Sequence, residues 1–242
     1  MDLGLEGRVA VVAASSKGLG RAVADALAAE GVGLVLSARG EEALASAEAT
    51  LRSRGAEVIA VRADVTDPET PERLVSLAID QFGRLDIVVP NAGGPPPGGA
   101  LEFEDDAILR AIQANLLTSV RFVRASLPRL RAAGWGRICC IASSTIAQAS
   151  PTLALSNTAR TGLWAWAKTA AADLRDTGIT LNLACPGFHA TDRMIELGFT
   201  GSGRPMGNPA DFGKVVAFLC SQVAANVNGA RIVVDGGESL AL

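Results

Sequence analysis

Arg8-Val9-Ala10-Val11-Val12-Ala13-Ala14-Ser15-Ser16-Lys17-Gly18-Leu19-Gly20-Arg21 opens on an apolar, β-branched run, breaks into small residues and ends where a helical pattern begins. The run from Arg8 to Ala13 predicts a buried strand, and the apolar spacing from Leu19 to Glu30 predicts a helix. Together they form a β-α unit, and the same alternation recurs along the chain. Further strands are expected at Gly33 to Ser37, Glu57 to Ala63, Leu85 to Pro90, Arg137 to Ala142, Thr180 to Ala184 and Arg231 to Val234. Helix-length stretches such as Glu41 to Arg54 and Pro71 to Phe82 separate them. Parallel strands need such crossovers, so the pattern predicts an α/β fold: one doubly wound parallel sheet of about seven strands with helices on both faces.

The chain has 242 residues, of which 49% are hydrophobic, 19% charged and 4% aromatic, which excludes a disordered chain. No polar linker or internal repeat divides it, so residues 1–242 are expected to form a single domain. A net charge of −3 gives no broad basic footprint for nucleic acid or an anionic membrane, and a small-molecule partner fits better. The four cysteines, Cys139, Cys140, Cys185 and Cys220, lie in apolar surroundings without metal-ligand spacing and predict buried, reduced thiols. Met1-Asp2-Leu3-Gly4-Leu5-Glu6 lacks the basic flank and apolar stretch of a secretory signal, and no segment is apolar enough to span a bilayer; a cytoplasmic protein is expected. There is no tyrosine at all, so no step that needs a phenol can be run from this chain.

In an open parallel sheet, ligands bind beyond the carboxyl ends of the strands. The turn after the first strand suits a diphosphate there: small residues allow close backbone approach, and the following helix presents free N–H groups and a favourable dipole. Ser37-Ala38-Arg39-Gly40 ends the second strand without the acidic residue that would hold an unphosphorylated ribose. Arg39, with Lys17 at the same corner, favours a 2′-phosphate and hence NADP(H) over NAD, against the plainer alternative of two solvated surface cations. Two loops should border the crevice: Gly93 to Gly99, rich in glycine and proline, and Gly198 to Asn208, which follows the sixth strand as a flap.

At this point the chain resembles the short-chain dehydrogenase/reductase family, and within it the 3-oxoacyl-acyl carrier protein reductases. The marks are Lys17-Gly18-Leu19-Gly20, Asp64-Val65 after the third strand, Asn91-Ala92-Gly93 after the fourth, Asn115 in the next helix, Pro186-Gly187 after the sixth strand and Val234-Asp235-Gly236-Gly237 near the end. The resemblance implies a Rossmann-type sheet of seven strands and an oxidoreductase moving hydride between nicotinamide and a carbonyl or alcohol. It implies cofactor contacts from Ala14, Ser16, Lys17, Gly18, Leu19, Gly20, Arg39 and Val65, and adenine contact from Asp64. By the same likeness Asn91, Ala92 and Gly93 support the sheet beside the cofactor, and Pro186, Gly187 and Thr191 face the nicotinamide. A homodimer or homotetramer is implied as well.

The likeness also shows where the chain departs. The first turn has Ala13-Ala14 where the family usually has Thr-Gly, so the backbone has less freedom to bend toward the phosphate. Ser143 and Asn115 match the family's catalytic serine and asparagine, whereas its Tyr-x-x-x-Lys pair falls on Ser156 and Arg160. Residues four apart share a helix face, so both can point into one crevice. A serine hydroxyl is far less acidic than a phenol, and loss of a general acid costs roughly 10² to 10⁴ in rate. Arg160 keeps a cation suited to a ribose hydroxyl or a substrate carboxylate, but it is a poor proton relay. The plain alternative for Ser156 is a helix serine bonded to its own backbone.

His189, the only histidine, is a possible substitute acid, though a hydrogen-bonded loop histidine near the surface is the expectation. Trp164 and Trp166 suit a core or subunit contact, and Glu102, Glu104, Asp105 and Asp106 suit a helix start and not a metal. The stretch from Thr191 to Pro205 offers little apolar surface, which points to a small or weakly enclosed substrate. The alternative function is a catalytically silent relative that binds the dinucleotide or serves as an oligomer partner.

Overall fold

The computed structural model describes residues 1–198 and 206–241. In chain order it comprises β1 (Val9–Val12), α1 (Gly18–Ala29), β2 (Gly33–Ala38), α2 (Glu41–Ser53), β3 (Val58–Arg62), α3 (Thr70–Phe82), β4 (Ile87–Val89) and α4 (Asp105–Ile112). A π-helical turn, Gln113–Leu117, leads into α5 (Thr118–Ala133), followed by β5 (Gly136–Ile141), α6 (Ala154–Asp173), β6 (Ile179–Pro186), α7 (Asp192–Glu196), α8 (Pro209–Leu219) and β7 (Arg231–Val234). The strands form one all-parallel sheet in the order β3-β2-β1-β4-β5-β6-β7, the α/β architecture that the alternation predicts.

Successive side chains of a strand point to opposite faces, and β1 shows the consequence. Val9 and Val11 pack on one side with Phe122 and Leu163, while Ala10 and Val12 pack on the other with Leu27 and Phe212. Both faces are covered, which is why the strands read as continuous apolar runs and not as alternating ones. α1 and α8 approach closely because position 213 is glycine; a Cβ there would lie 2.3 Å from the Ala22 carbonyl oxygen. At the amino-terminal edge of the sheet, Asp86 accepts from Arg8 Nη1 (2.9 Å), Arg84 Nε (2.7 Å) and the Val9 N–H (2.9 Å). The Arg8 and Arg137 guanidinium carbons lie 3.9 and 4.3 Å from the centre of the Trp135 ring, locking the same edge.

Strand ends lie within two residues of the sequence expectation, and Arg231–Val234 coincides with it. β6 runs to Pro186 because two offset neighbours define it: Ile179–Ala184 pair with β5, and Leu183–Pro186 pair with β7. Hydropathy does not contain that offset. The order of strands reverses between β1 and β4, so a crevice opens above their carboxyl ends.

Candidate active site

The turn after β1 is built around a single carbonyl. Ala14 has φ +47°, a left-handed conformation unusual for a residue with a Cβ, and its oxygen accepts from Asn91 Nδ2 at 3.2 Å. Gly20 lies directly against that oxygen; a Cβ at position 20 would sit 2.3 Å away, so only glycine fits. Ser15 ties the turn to β2, its N–H donating to the Ser37 oxygen at 2.9 Å and its hydroxyl to the Val12 oxygen at 2.8 Å. Gly18, also left-handed at φ +60°, starts α1, and the preceding Lys17 gives that helix no side-chain cap. The first-turn N–H groups are therefore left for an anion, and the cradle fits a dinucleotide diphosphate. Ser16 is half-buried, and Leu19 packs against the core beneath the turn.

Arg39, at the end of β2, is exposed and makes no salt bridge among the described residues, while its backbone oxygen accepts from Arg62 Nε at 3.2 Å. Asp64 accepts from the Thr66 N–H (2.9 Å) and Oγ1 (2.8 Å), which hold its carboxyl below the ordinary carboxylate value. Val65 is buried, with its carbonyl accepting from Thr118 Oγ1. Lys17 pairs with acids of α7: its Nζ lies 3.5 Å from Asp192 and 3.8 Å from Glu196.

Arg193, a residue that no motif singled out, reaches from α7 in the other direction. Its Nη2 donates to the Pro95 oxygen at 2.6 Å, and its guanidinium lies over Gly94, where a Cβ would come within 3.3 Å of it. α7 is thus strapped across the crevice, to the first turn on one side and to the loop after β4 on the other. Thr191, just before α7, lies over Gly18, where a Cβ would meet its Cγ2 at 3.8 Å. Pro186 ends β6 and Gly187 follows it, with a Cβ at Gly187 excluded by Asp235 at 2.5 Å. Ala92 packs on the core and Gly93 is open. The expected flap from Gly198 to Asn208 lies mostly outside the described residues; Gly207 in it meets His189.

Asn115, Ser143, Ser156 and Arg160 come from three elements that meet at the carboxyl end of β5. Asn115 sits within the π-helical turn, its Nδ2 directed at the Ala111 oxygen (3.4 Å) and its buried Oδ1 without a partner among the described residues. Such turns are enriched at functional sites. Ser143 follows β5 and caps the turn Ser144–Ile146, its Oγ accepting from the Thr145 N–H at 3.2 Å. Its own proton has no acceptor among the described residues. Ser156 is 7% exposed, and its hydroxyl makes no hydrogen bond among the described residues. Ser156 is thus not bonded to its own helix backbone, whereas the neighbouring Thr158 is, donating to the Ala154 oxygen at 3.0 Å.

Arg160, one turn on and 8% exposed, donates from Nη1 to the oxygens of Ile141 (3.0 Å) and Ala142 (2.9 Å). Burial pushes its guanidinium down to about 10, and the Arg193 charge adds to the effect. It remains a cation at neutral pH. Ser156, one turn before Arg160 on α6, and Ser143, next to the Ala142 whose oxygen Arg160 holds, thus both carry hydroxyl protons without an acceptor among the described residues.

His189 is buried at 4% exposure and not near the surface, because Phe212 lies edge-on at 5.5 Å and its Nδ1 contacts the Gly187 oxygen at 3.2 Å. Trp164 and Trp166 pack against the core, and Glu102 accepts from the Gly99 N–H at 3.0 Å. A groove of about 700 Å³ along α1 and α8 shares Lys17, Gly18 and Thr191 with the first-turn corner.

Comparison with known proteins bears on the same residues. A family profile described as Enoyl-(Acyl carrier protein) reductase matches residues 13–239. The chain is 30% identical over 246 residues to Dehydrogenase/reductase SDR family member 4 of Sus scrofa, covering 97% of this chain and 88% of that protein. It is 31% identical over 244 residues to the 3-oxoacyl-[acyl-carrier-protein] reductase FabG of Escherichia coli, covering 97% and 98%. L-sorbose reductase from Gluconobacter frateurii, solved with NADPH and L-sorbose, superposes with a TM-score of 0.93 at 30% identity over the full length of both chains.

Proposed function

Since the chain belongs to the short-chain dehydrogenase/reductase family, we propose that it is an NADP(H)-linked oxidoreductase interconverting a small carbonyl compound and its alcohol, with a proton-handling site that does not use a phenol. The first turn, the open end of α1 and the Asn91–Ala92–Gly93 segment would hold the dinucleotide, with Arg39 placed for a 2′-phosphate. When bound, that group supplies or accepts the hydride. NADPH in the sorbose reductase complex supports the cofactor assignment.

The observation that carries the proposal is the pair of uncommitted hydroxyls, Ser143 and Ser156, beside Arg160. The Thr145 N–H occupies one lone pair of Ser143 and leaves its proton free to donate to a carbonyl oxygen. Ser156 provides a second donor from the helix face. The guanidinium of Arg160, fixed on the strand-end carbonyls, supplies positive potential where negative charge develops on that oxygen. The final proton comes from water, because an aliphatic hydroxyl is much less acidic than a phenol of pKa about 10 and an arginine is a poor relay. Slow turnover follows, on the order of 10² to 10⁴ below a site with a matched general acid.

The test is a titration with NADPH followed by turnover on a panel of small aldehydes and ketones. Binding with slow NADPH oxidation is expected, and the double change Ser156→Tyr, Arg160→Lys should raise the rate by about 10²-fold or more. Binding without turnover on any of the panel would favour the second reading, a silent dinucleotide-binding relative or oligomer partner, for which the total lack of tyrosine is the specific observation. Light scattering would test the homodimer or homotetramer expected of either.

A further inference from the structure

Two buried arginines serve opposite ends of this sheet, and they are treated differently. Arg137, 2% exposed, is saturated: Nε donates to the Ser221 oxygen (2.9 Å), Nη1 to the oxygens of Gly136 (2.8 Å) and Gly178 (3.0 Å), and the group stacks on Trp135. Arg160, 8% exposed, is buried too, but among the described residues only Nη1 is engaged, on the Ile141 and Ala142 oxygens. A guanidinium carries five N–H donors. The three on Nε and Nη2 have no acceptor among the described residues, yet those nitrogens are not among the atoms sealed from solvent. No carboxylate pairs with Arg160 among the described residues. The two acids of α7 are engaged with other cations, Asp192 with Lys17 at 3.5 Å and Glu196 with Arg193 at 3.3 Å. Arg193 adds a second cation, felt at Arg160.

We propose that the free edge of Arg160 receives a carboxylate of the substrate, so that the carbonyl compound this crevice selects is a small oxo-acid. The proposal rests on the carbonyl-reduction reading above and names its substrate class. A planar fork with adjacent free N–H groups matches the two oxygens of a carboxylate. A ribose hydroxyl would also accept from it, but being neutral would leave the buried charge uncancelled. Arg160 is bonded to Ala142, and Ser143 is the next residue, so the carboxylate anchor and the polarising hydroxyl are held by consecutive residues of one strand end. That closeness suits a carbonyl one or two bonds from the carboxyl group. The carboxylate is an anchor and takes no part in the bond changes.

Two measurements on the full chain decide this. The first compares turnover of pyruvate and acetoacetate with that of their methyl esters at saturating NADPH. The acids should show a kcat/KM higher by roughly 10 to 100-fold, the range expected for hydrogen bonds to a charged group. The second is calorimetric binding of oxamate, an unreactive acid, against methyl oxamate, to wild type and Arg160→Gln, with NADPH binding measured separately. Oxamate should bind the wild type more tightly by a similar factor, and the variant should lose that difference. Should the variant fail to fold, the wild-type comparison of acid with ester still decides. NADPH binding with acid and ester treated alike would overturn the oxo-acid assignment and leave the reductase reading standing. Arg160-dependent oxamate binding without any NADPH binding would overturn the reductase reading and support the anion site.

Discussion

Ala14 and Gly20 share one carbonyl, and their backbone needs are opposite to what their identities suggest. Gly20 must be glycine for space, whereas Ala14 occupies a left-handed conformation that costs a side chain roughly 1 to 2 kcal/mol. Ala14→Gly should therefore raise stability by about 1 kcal/mol, read as a higher urea midpoint at unchanged slope. Asp86 shows the converse, a residue well served by its surroundings. Burial alone would raise its carboxyl, but hydrogen bonds from Arg84, the Val9 N–H and Arg8 outweigh that and hold it below the ordinary value. A depressed carboxyl contributes stability that is fully present above the unfolded value near 3.9 and is lost as pH falls through the folded one. Asp86→Asn should cost about 3 kcal/mol at neutral pH and make the acid limb of a stability-pH curve shallower than that of wild type. An unchanged acid limb would show that Asp86 does not govern it.

At the scale of elements, α7 is the part whose role depends most on its neighbours. Its acids hold Lys17, and its arginine holds the Pro95 carbonyl, so the short helix bridges the two loops between which a dinucleotide would pass. Asp192 and Glu196 compete with any phosphate for Lys17. These are exposed pairs, each worth about 0 to 1 kcal/mol, so the double change Asp192→Asn, Glu196→Gln should tighten NADPH binding by no more than about fivefold and steepen its weakening with salt. Fluorescence titration at two ionic strengths checks both; weaker binding in the variant would mean that the acids position Lys17 for the ligand. The length of β6 belongs to this scale too, being set by where β5 and β7 pair with it.

Across the whole molecule, the four thiols report how tightly the sheet is enclosed. Cys139 is pushed up by its hydrogen bond with the Cys220 thiol and by burial, and burial raises Cys140 and takes Cys185 to about 12. All four are buried and free. A chromogenic disulfide reagent at about pH 8 should therefore label almost none in the native protein and all four after denaturation. Rapid native labelling would reveal an opening of the β5–β6 region. The same enclosure made the fold legible: continuous apolar runs broken by helical stretches are what a sheet covered on both faces requires, and they carry the order of strands and helices. The missing phenol was equally plain, since composition alone excludes it. Ser156 shows the limit, because its letter fits both a back-bonded helix serine and a free hydroxyl. The sequence by itself therefore determined a doubly covered parallel sheet, its small-residue first turn and the absence of any tyrosine. Only the tertiary structure decided that Lys17 pairs with α7, that Arg193 reaches the Pro95 carbonyl and that, among the described residues, only Nη1 of Arg160 finds an acceptor. Each of those depends on atoms brought together from distant parts of the chain, and local periodicity holds no record of such meetings.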